Sequence, residues 1–172
     1  EGQRPQSPGE AAGVVSLSLP PRLVQRLHGF ARERGCTLFM LLLSTYGLLL
    51  SRYSGQRQLR VGVPVANRSR SQLQEVVGLF VNTLVVPVEV SGSVNFAEHV
   101  ARVEREVRRR QAAEDLPFER LVEALAPTRS LDKTPVFQAL FNHQLRDQRA
   151  FALPGLRAEL MQLLDAERPK MV

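Results

Sequence analysis

Apolar residues recur three and four positions apart in the first third of the chain, which is the spacing of amphipathic helices. The pattern predicts a helix over residues 22–34 that ends at Gly35, a typical C-terminal cap. Residues 37–53 are almost continuously apolar, and Thr37 can cap them at the N-terminus. Ser54 and Gly55 then interrupt the run, so we expect a buried core helix between Thr37 and this break.

Two further helices are predicted in the second half of the chain. One covers residues 96–113, and its buried face carries three valines: Val100, Val103 and Val107. The other starts in the segment Asp115-Leu116-Pro117 and runs through residue 126. Asp115 or Leu116 lies near its N-cap, and Pro117 occupies its first position, where a missing N–H is tolerated.

Other segments have the composition of β-strands. Residues 14–19 alternate apolar and small polar side chains, the period of a half-buried strand, and prolines follow them directly. Residues 78–90 form a longer apolar run, typical of a strand covered on both faces. The remaining candidate strands cover residues 59–65, 135–143 and 156–163. Since helices and strands alternate, we predict an α/β fold with a two-layer mixed sheet packed with helices.

The organisation of the chain follows from the segments that lack these patterns. Residues 1–13 are rich in Pro, Gly, Gln and Ser and are expected to be a linker. Residues 67–74 and 127–134 are predicted loops. Residues 14–172 form the folded part, and we expect it to be truncated at both ends because its final residues show no closing strand or cap.

Composition excludes several classes of protein. The chain has 172 residues, of which 44% are hydrophobic, enough for one compact domain or one lobe of a larger one. Its single cysteine, Cys36, allows no intrachain disulfide, and we interpret it as a buried, inert thiol. The apolar run at 37–50 is shorter than the roughly 20 residues of a membrane helix, and Arg34 and Arg52 flank it. We therefore expect no membrane contact and a cytoplasmic location.

The net charge is +6, and much of the positive charge lies in a few runs, chiefly the arginines between residues 102 and 110, which are interleaved with glutamates between residues 98 and 114. This arrangement favours a solvated helix face over a nucleic-acid site. The chain has no Trp, and neither Tyr lies in this run, so stacking side chains for single-stranded nucleic acid are missing there.

No standard catalytic or metal-binding motif is present. There is no phosphate-binding glycine loop and no Gly-x-Ser-x-Gly sequence, so we assign no catalytic residue and no metal ligand. His28 and His99 are predicted at the surface or its boundary, and His143 ends a strand from which it could reach a cleft. Asn82 interrupts an apolar strand, so its amide either pairs locally or faces a channel.

Several sequence blocks nevertheless resemble the C-terminal half of nonribosomal peptide synthetase condensation domains. VGVPVANR at 61–68 is followed by VGLFVNT at 77–83. AEDLPFE at 113–119 is similar to the family's His-Gln-Asp-x-Pro-Phe-Glu, without the His and Gln. RSLDKTPV at 129–136 is similar to a block that keeps an Arg and a Pro, here Arg129 and Pro135. Pro87 stands where the family usually has an arginine.

The resemblance implies one lobe of a chloramphenicol acetyltransferase-like fold, in which two lobes enclose a tunnel. In this family, carrier-bound thioesters enter the tunnel and are joined by an amide bond. The family's His-His-x-x-x-Asp-Gly motif belongs to the other lobe, and this chain has no adjacent histidines. The fragment alone is therefore expected to be inactive, and it would complete the substrate tunnel.

The same resemblance implies the partners: the N-terminal lobe, peptidyl or aminoacyl carrier proteins and an adjacent adenylation domain. No cofactor is expected to bind directly, since the phosphopantetheine arm of the carrier brings the substrate. The alternative is a non-catalytic docking module of the same fold for carrier or tailoring proteins. A third candidate is a basic nucleic-acid binder, whose signature would be salt-dependent affinity.

Site residues follow from the matched blocks. The predicted channel-lining residues are Gly78, Phe80, Asn82 and Thr83. The predicted structural residues are Arg68, Pro117, Phe118, Arg129 and Pro135. We expect Gly62 and Gly78 to permit tight turns and the two arginines to hold loops through ion pairs. We also expect the polar segment 67–74 to be mobile, and an isolated lobe to expose apolar surface.

Overall fold

A computed structural model of the chain describes residues 13–68, 70–125 and 136–144. The chain divides into two compact units, one made of Glu1–Ser18 with His143–Val172 and the other of Leu19–Asn142. Every helix and strand described below lies in the second unit. The helices are α1 (Pro21–Glu33), α2 (Leu38–Ser54), α3 (Phe96–Gln111) and α4 (Phe118–Leu125). The strands are β1 (Gln58–Val65), β2 (Asn82–Glu89) and β3 (Ala139–Leu140).

The first two helices begin and end where the local sequence predicts. Gly35 adopts a left-handed φ of 65° just past α1, and the Cys36 N–H donates to the Ala31 carbonyl. The Thr37 hydroxyl accepts from the Met40 N–H at 3.2 Å, and Gly55 ends α2 with a φ of 71°. The predicted bounds of both helices are confirmed within one residue at all four ends.

The later helices also follow the predicted pattern, with small shifts. The Asn95 side chain, which the sequence analysis did not single out, accepts from the Glu98 N–H and caps α3. The valines predicted for the buried face of α3 are all buried. α4 begins one residue later than predicted, so Pro117 precedes the helix instead of occupying its first position.

The sheet has the strand order β2-β1-β3 and is mixed. β1 and β2 are antiparallel, with Val61 opposite Val86. β3 adds two residues in parallel, with Ala139 opposite Val61. The predicted class, α/β with a mixed sheet packed with helices, is confirmed, and β1 lies where the sequence placed it.

The core lies between one face of this sheet and the helices α2 and α3. Valines of β1 and β2 contact the apolar faces of both helices, in a cluster of eight buried residues: Met40, Leu43, Val61, Val63, Val86, Val88, Val103 and Val107. A second cluster, made of Ala31, Leu41 and Val100, attaches α1 to the same layer. Burial of these side chains, at roughly 25 cal/mol per Å² of apolar surface, holds the two layers together.

Three of the predicted strands are wrong in extent or existence. Residues 14–19 form no strand, and Val15 is 96% exposed, because no strand among the described residues pairs with them. β2 begins only at Asn82, and its side chains are alternately buried and half-buried, so it is not fully covered on both faces. β3 retains only two of the residues predicted for it. The predicted segments 127–134 and 156–163, like residues 1–12, lie outside the described residues.

Within the described ranges, no single helix is both long enough and apolar enough to cross a membrane. α1 and α2 taken together meet the length and composition of a span, but a bend of 104° separates them.

The glycines of α1 and α2 provide a matched test of the core. A Cβ added at Gly47 would lie 2.5 Å from Val88 Cγ1, whereas nothing lies within 4 Å of one added at Gly29. We expect Gly47→Ala to lower the free energy of unfolding by about 1–2 kcal/mol, because overpacking outweighs the gain in helix propensity. Gly29→Ala should raise it by up to about 1 kcal/mol. Urea denaturation measures both, and equal effects would contradict the packing of α2 on β2.

Candidate functional site

The connection between β1 and β2, residues 66–81, is organised around the Arg68 guanidinium. Asn67 turns the chain before it with a left-handed φ of 49°, which Asn tolerates. Arg68 Nη1 donates to the carbonyl oxygens of Leu73 and Val76, the latter at 2.7 Å. Nη2 donates to the Gly78 carbonyl at 3.1 Å. One side chain therefore satisfies three carbonyl groups of an otherwise irregular segment.

Phe80 completes this arrangement. The Arg68 guanidinium carbon lies 4.4 Å from the centre of the Phe80 ring, within the range of a cation–π contact. The expectation that Arg68 forms an ion pair is wrong, because its partners among the described residues are backbone carbonyls and an aromatic ring. Its role in holding a loop is nonetheless what the structure shows. Residues 71–73 form a short 3₁₀ turn inside the loop.

Asn82 anchors the other end of the connection. Its Nδ2 donates to the carbonyls of Glu114 and Leu116, both at 2.8 Å. Its Oδ1 accepts from the N–H groups of Thr83 at 2.8 Å and Phe118 at 3.0 Å. Both donors and both lone pairs are used, so the amide is fully paired, but three of its four partners lie 32 to 36 positions away and the pairing is not local. Its role in lining a channel stays a prediction, as does that of Thr83.

The Asn82 contacts also position α4. Pro117 and Phe118 lie at the start of this helix, and the N–H of Phe118 donates to an amide 36 positions earlier in the chain. The Phe118 ring packs against Phe137, with ring centroids 5.5 Å apart. Asn82 thus joins three elements at one point: strand β2, the turn that follows α3, and helix α4.

Gly62 lies in the middle of β1 opposite Val85 and forms no tight turn, so that expectation is wrong. A Cβ at this position would lie 2.5 Å from the Phe137 ring. The glycine is required because a ring packs directly on the strand backbone.

The other predicted site residues are placed as follows. Gly78 lies in the loop whose carbonyls bind Arg68. Arg129 and Pro135 lie outside the described residues.

Between the Arg68 and Asn82 clusters the chain presents an apolar ridge, which we define as Val77, Leu79 and Val81. Val77 is fully exposed and Leu79 is 91% exposed. Gly78 and Phe80 alternate with them and contact Arg68. This ridge was not predicted, although the alternation of side chains along residues 77–81 carries its signal.

The titratable side chains offer little acid–base chemistry. His99 is only 2% exposed, so its predicted position at the surface or its boundary is wrong; α3 packs it against α2. Its Nε2 lies 3.1 Å from the Ser44 carbonyl, which can only accept, so Nε2 carries the proton. Burial, followed by the nearby Glu104, raises the pKa of the half-buried Cys36 thiol, which disfavours a nucleophilic thiolate. No group of possible metal ligands occurs among the described residues.

A family model described as the condensation domain matches residues 2–163. The chain belongs to the condensation-domain family. Malpibaldin synthetase from Mortierella alpina is 37% identical over 162 residues, which are 93% of this chain and 3% of that protein. Tyrocidine synthase 3 from Brevibacillus parabrevis is 36% identical over 162 residues, 94% of this chain and 2% of that protein. The chain thus spans a small part of the relatives it matches.

Solved structures agree with this assignment. A four-domain nonribosomal peptide synthetase, holo-AB3403, superimposes with a TM-score of 0.75 at 24% identity, over 84% of this chain and 11% of that one. The first condensation domain of the CDA synthetase gives 0.61 at 26% identity, over 71% of this chain and 28% of that one. The X-domain from teicoplanin biosynthesis gives 0.62 at 30% identity, over 67% and 26%. The predicted condensation-domain resemblance and chloramphenicol acetyltransferase-like fold are confirmed.

Removing the Asn82 amide tests its anchoring role. Asn82→Ala should lower the free energy of unfolding by about 2 kcal/mol, because two carbonyls and two N–H groups lose their partner. Asn82→Asp should cost at least as much, since a carboxylate would face the carbonyls of Glu114 and Leu116. Asn95→Ala, which removes a single capping bond, should cost only about 1 kcal/mol. Urea unfolding compares the three, and a smaller loss at Asn82 than at Asn95 would contradict the anchor.

Replacing Arg68 tests the order of the loop. Arg68→Lys keeps the charge but not the fork of donors or the stacking, so amide hydrogen exchange over residues 70–81 should accelerate by about tenfold. Arg70→Lys is the matched control, because the exposed Arg70 side chain makes no hydrogen bond or ion pair to any described residue. Equal exchange rates in the two variants would show that Arg68 does not organise the connection.

Proposed function

We propose that this chain is the C-terminal lobe of a nonribosomal peptide synthetase condensation domain, in which it completes the substrate tunnel. The intact domain would form amide bonds between carrier-bound aminoacyl or peptidyl thioesters. The observation that carries the proposal is the apolar ridge, held in place by Arg68 yet open to solvent. A surface that is both fixed in shape and apolar is suited to burial against another body.

The extent of the matches supports a partner for this ridge within the same domain. This chain covers 28% of a solved condensation-domain chain and 26% of the X-domain chain. Most of such a domain therefore has no counterpart in this chain. We propose that the N-terminal lobe is part of this missing portion and that it covers Val77 and Leu79.

The chemistry of the described residues supports a positioning role. Amide formation needs a base near the acceptor amine, a contribution of roughly 100- to 10,000-fold. His99 is buried with Nε2 bonded to Ser44, and no two histidines of the sequence are adjacent. The base would thus come from the other lobe. This lobe would hold the phosphopantetheine arms in place, and alone it would be inactive.

The remaining features of the proposal follow from the family. Carrier proteins and an adjacent adenylation domain would be the partners, with no nucleic acid or membrane, in the cytoplasm. No cofactor would bind directly. A non-catalytic docking module is the second candidate, and the likeness to the X-domain favours it, since that domain was solved in complex with OxyB.

An amide-forming assay with loaded carrier proteins tests the main proposal. The chain alone should give no product, and its mixture with the N-terminal lobe of the same synthetase should give the amide. Product from the chain alone would contradict the assignment of the base to the other lobe. Association of the lobes without product in the mixture would favour the docking module.

The ridge itself is tested by Val77→Asp combined with Leu79→Asp. The double variant should bind the N-terminal lobe at least about tenfold more weakly, because two charged groups would replace apolar side chains at the contact. Tyr53→Asp, at another exposed apolar position, should change the affinity by less than about twofold. Calorimetric titration measures the affinities, and unchanged binding by the double variant would refute the role of the ridge.

A further inference from the structure

A groove of about 540 Å³ runs between the edge of β2 and α3. β2 contributes Pro87 and Glu89. α3 contributes Arg102, Val103, Arg105, Glu106 and Arg109. The α3 residues fall at spacings of three and four, so they line one face over about 10 Å of helix. We name this feature the arginine groove.

Some charged side chains of the arginine groove form ion pairs with each other, and others do not. Glu106 already pairs with Arg109 at 3.0 Å and with Arg110 at 3.3 Å. Within the described part of the chain, the side chain of half-buried Arg102 has no ion-pair or hydrogen-bond partner. Arg105 donates only a long hydrogen bond, 3.4 Å, to the Ala101 carbonyl. Two guanidinium groups one helical turn apart are therefore available to an anionic partner.

The strand side of the groove limits how a partner can bind. The Val90 N–H donates to the Arg57 carbonyl of the neighbouring chain segment, and N–H groups alternate in direction along an antiparallel strand. Pro87, three positions earlier, thus has its nitrogen on the outer edge of β2, where it can donate nothing. Addition of a partner strand is hindered at this point. Side chains, not a backbone ladder, must make the contact.

The surroundings favour one class of occupant. No aromatic side chain lines the groove, so a nucleic acid would find no stacking surface. The groove extends from the middle of α3 into its last turn, away from the N-terminus, so backbone N–H groups do not converge on it as they would in a tight phosphate site. A groove of this length with two spaced guanidiniums is complementary to carboxylate side chains on an extended or helical segment.

We propose that the arginine groove docks an acidic segment of a partner protein, with its carboxylates on Arg102 and Arg105. Both guanidiniums remain accessible to water, so the contact is weak and transient, and it is screened by salt. It sets the rate and orientation of an encounter more than its final affinity. This docking does not depend on the chain taking part in amide formation.

The test uses the full chain and a fluorescein-labelled Glu-Ala repeat peptide, with binding followed by fluorescence anisotropy. Arg102→Glu combined with Arg105→Glu should weaken binding at low salt by about tenfold or more. The control is Arg22→Glu combined with Arg26→Glu, two exposed arginines of α1 with the same change in net charge. It should weaken binding by less than about threefold.

Three results would overturn the proposal. Equal losses in the two double variants would mean that only the overall charge matters. Inorganic phosphate that competes as well as the peptide at equal charge would indicate a general anion site. A single-stranded oligonucleotide that binds more tightly than the peptide would assign the groove to nucleic acid. If circular dichroism shows that the Arg102/Arg105 double variant does not fold, Arg105→Glu alone replaces it in the binding measurement. This position is exposed, so the single change should leave the fold intact.

Discussion

The long connection between β1 and β2 imposes the constraint on which the candidate site depends. Neighbouring antiparallel strands are usually joined by a few residues, whereas here residues 66–81 intervene, and their backbone groups need partners. Arg68 supplies partners at the start of the segment, and Asn82 closes its end. The apolar ridge lies between these two contacts. Without them its side chains would have no defined position.

Asn82 has a second consequence, because it connects parts of the chain that are distant in sequence. Its amide joins β2 to the turn after α3 and to the first N–H of α4. Phe118 then meets Phe137, and Phe137 lies on Gly62 in β1. Val61 and Val63 point into the packed valine core, whereas Gly62, between them in β1, faces the opposite side of the sheet, where Phe137 packs. The hydrogen bonds of Asn82 to these distant segments explain why a polar residue occupies this position in an apolar strand.

β2 also relates the two surfaces that we assign to partners. The apolar ridge leads into its first residue, and the arginine groove lies beside Pro87 and Glu89 near its last. At about 3.3 Å per residue these ends are roughly 20 Å apart. An apolar contact of fixed shape favours lasting burial, whereas exposed guanidiniums favour brief encounters. One strand therefore supports contacts of two different kinds.

The sequence by itself determined the elements whose signals are local. Helix caps such as Thr37 and Gly55, the buried valines of α3 and the family blocks can be read within a few residues, because capping and amphipathicity act over one or two turns. Tertiary structure alone decided the partners of Asn82, the burial of His99 and the need for Gly62. Tertiary structure also decided that residues 14–19 form no strand, since no described strand pairs with them. Each of these depends on a residue far along the chain, or on the lack of a neighbour, and no local pattern encodes such a distance.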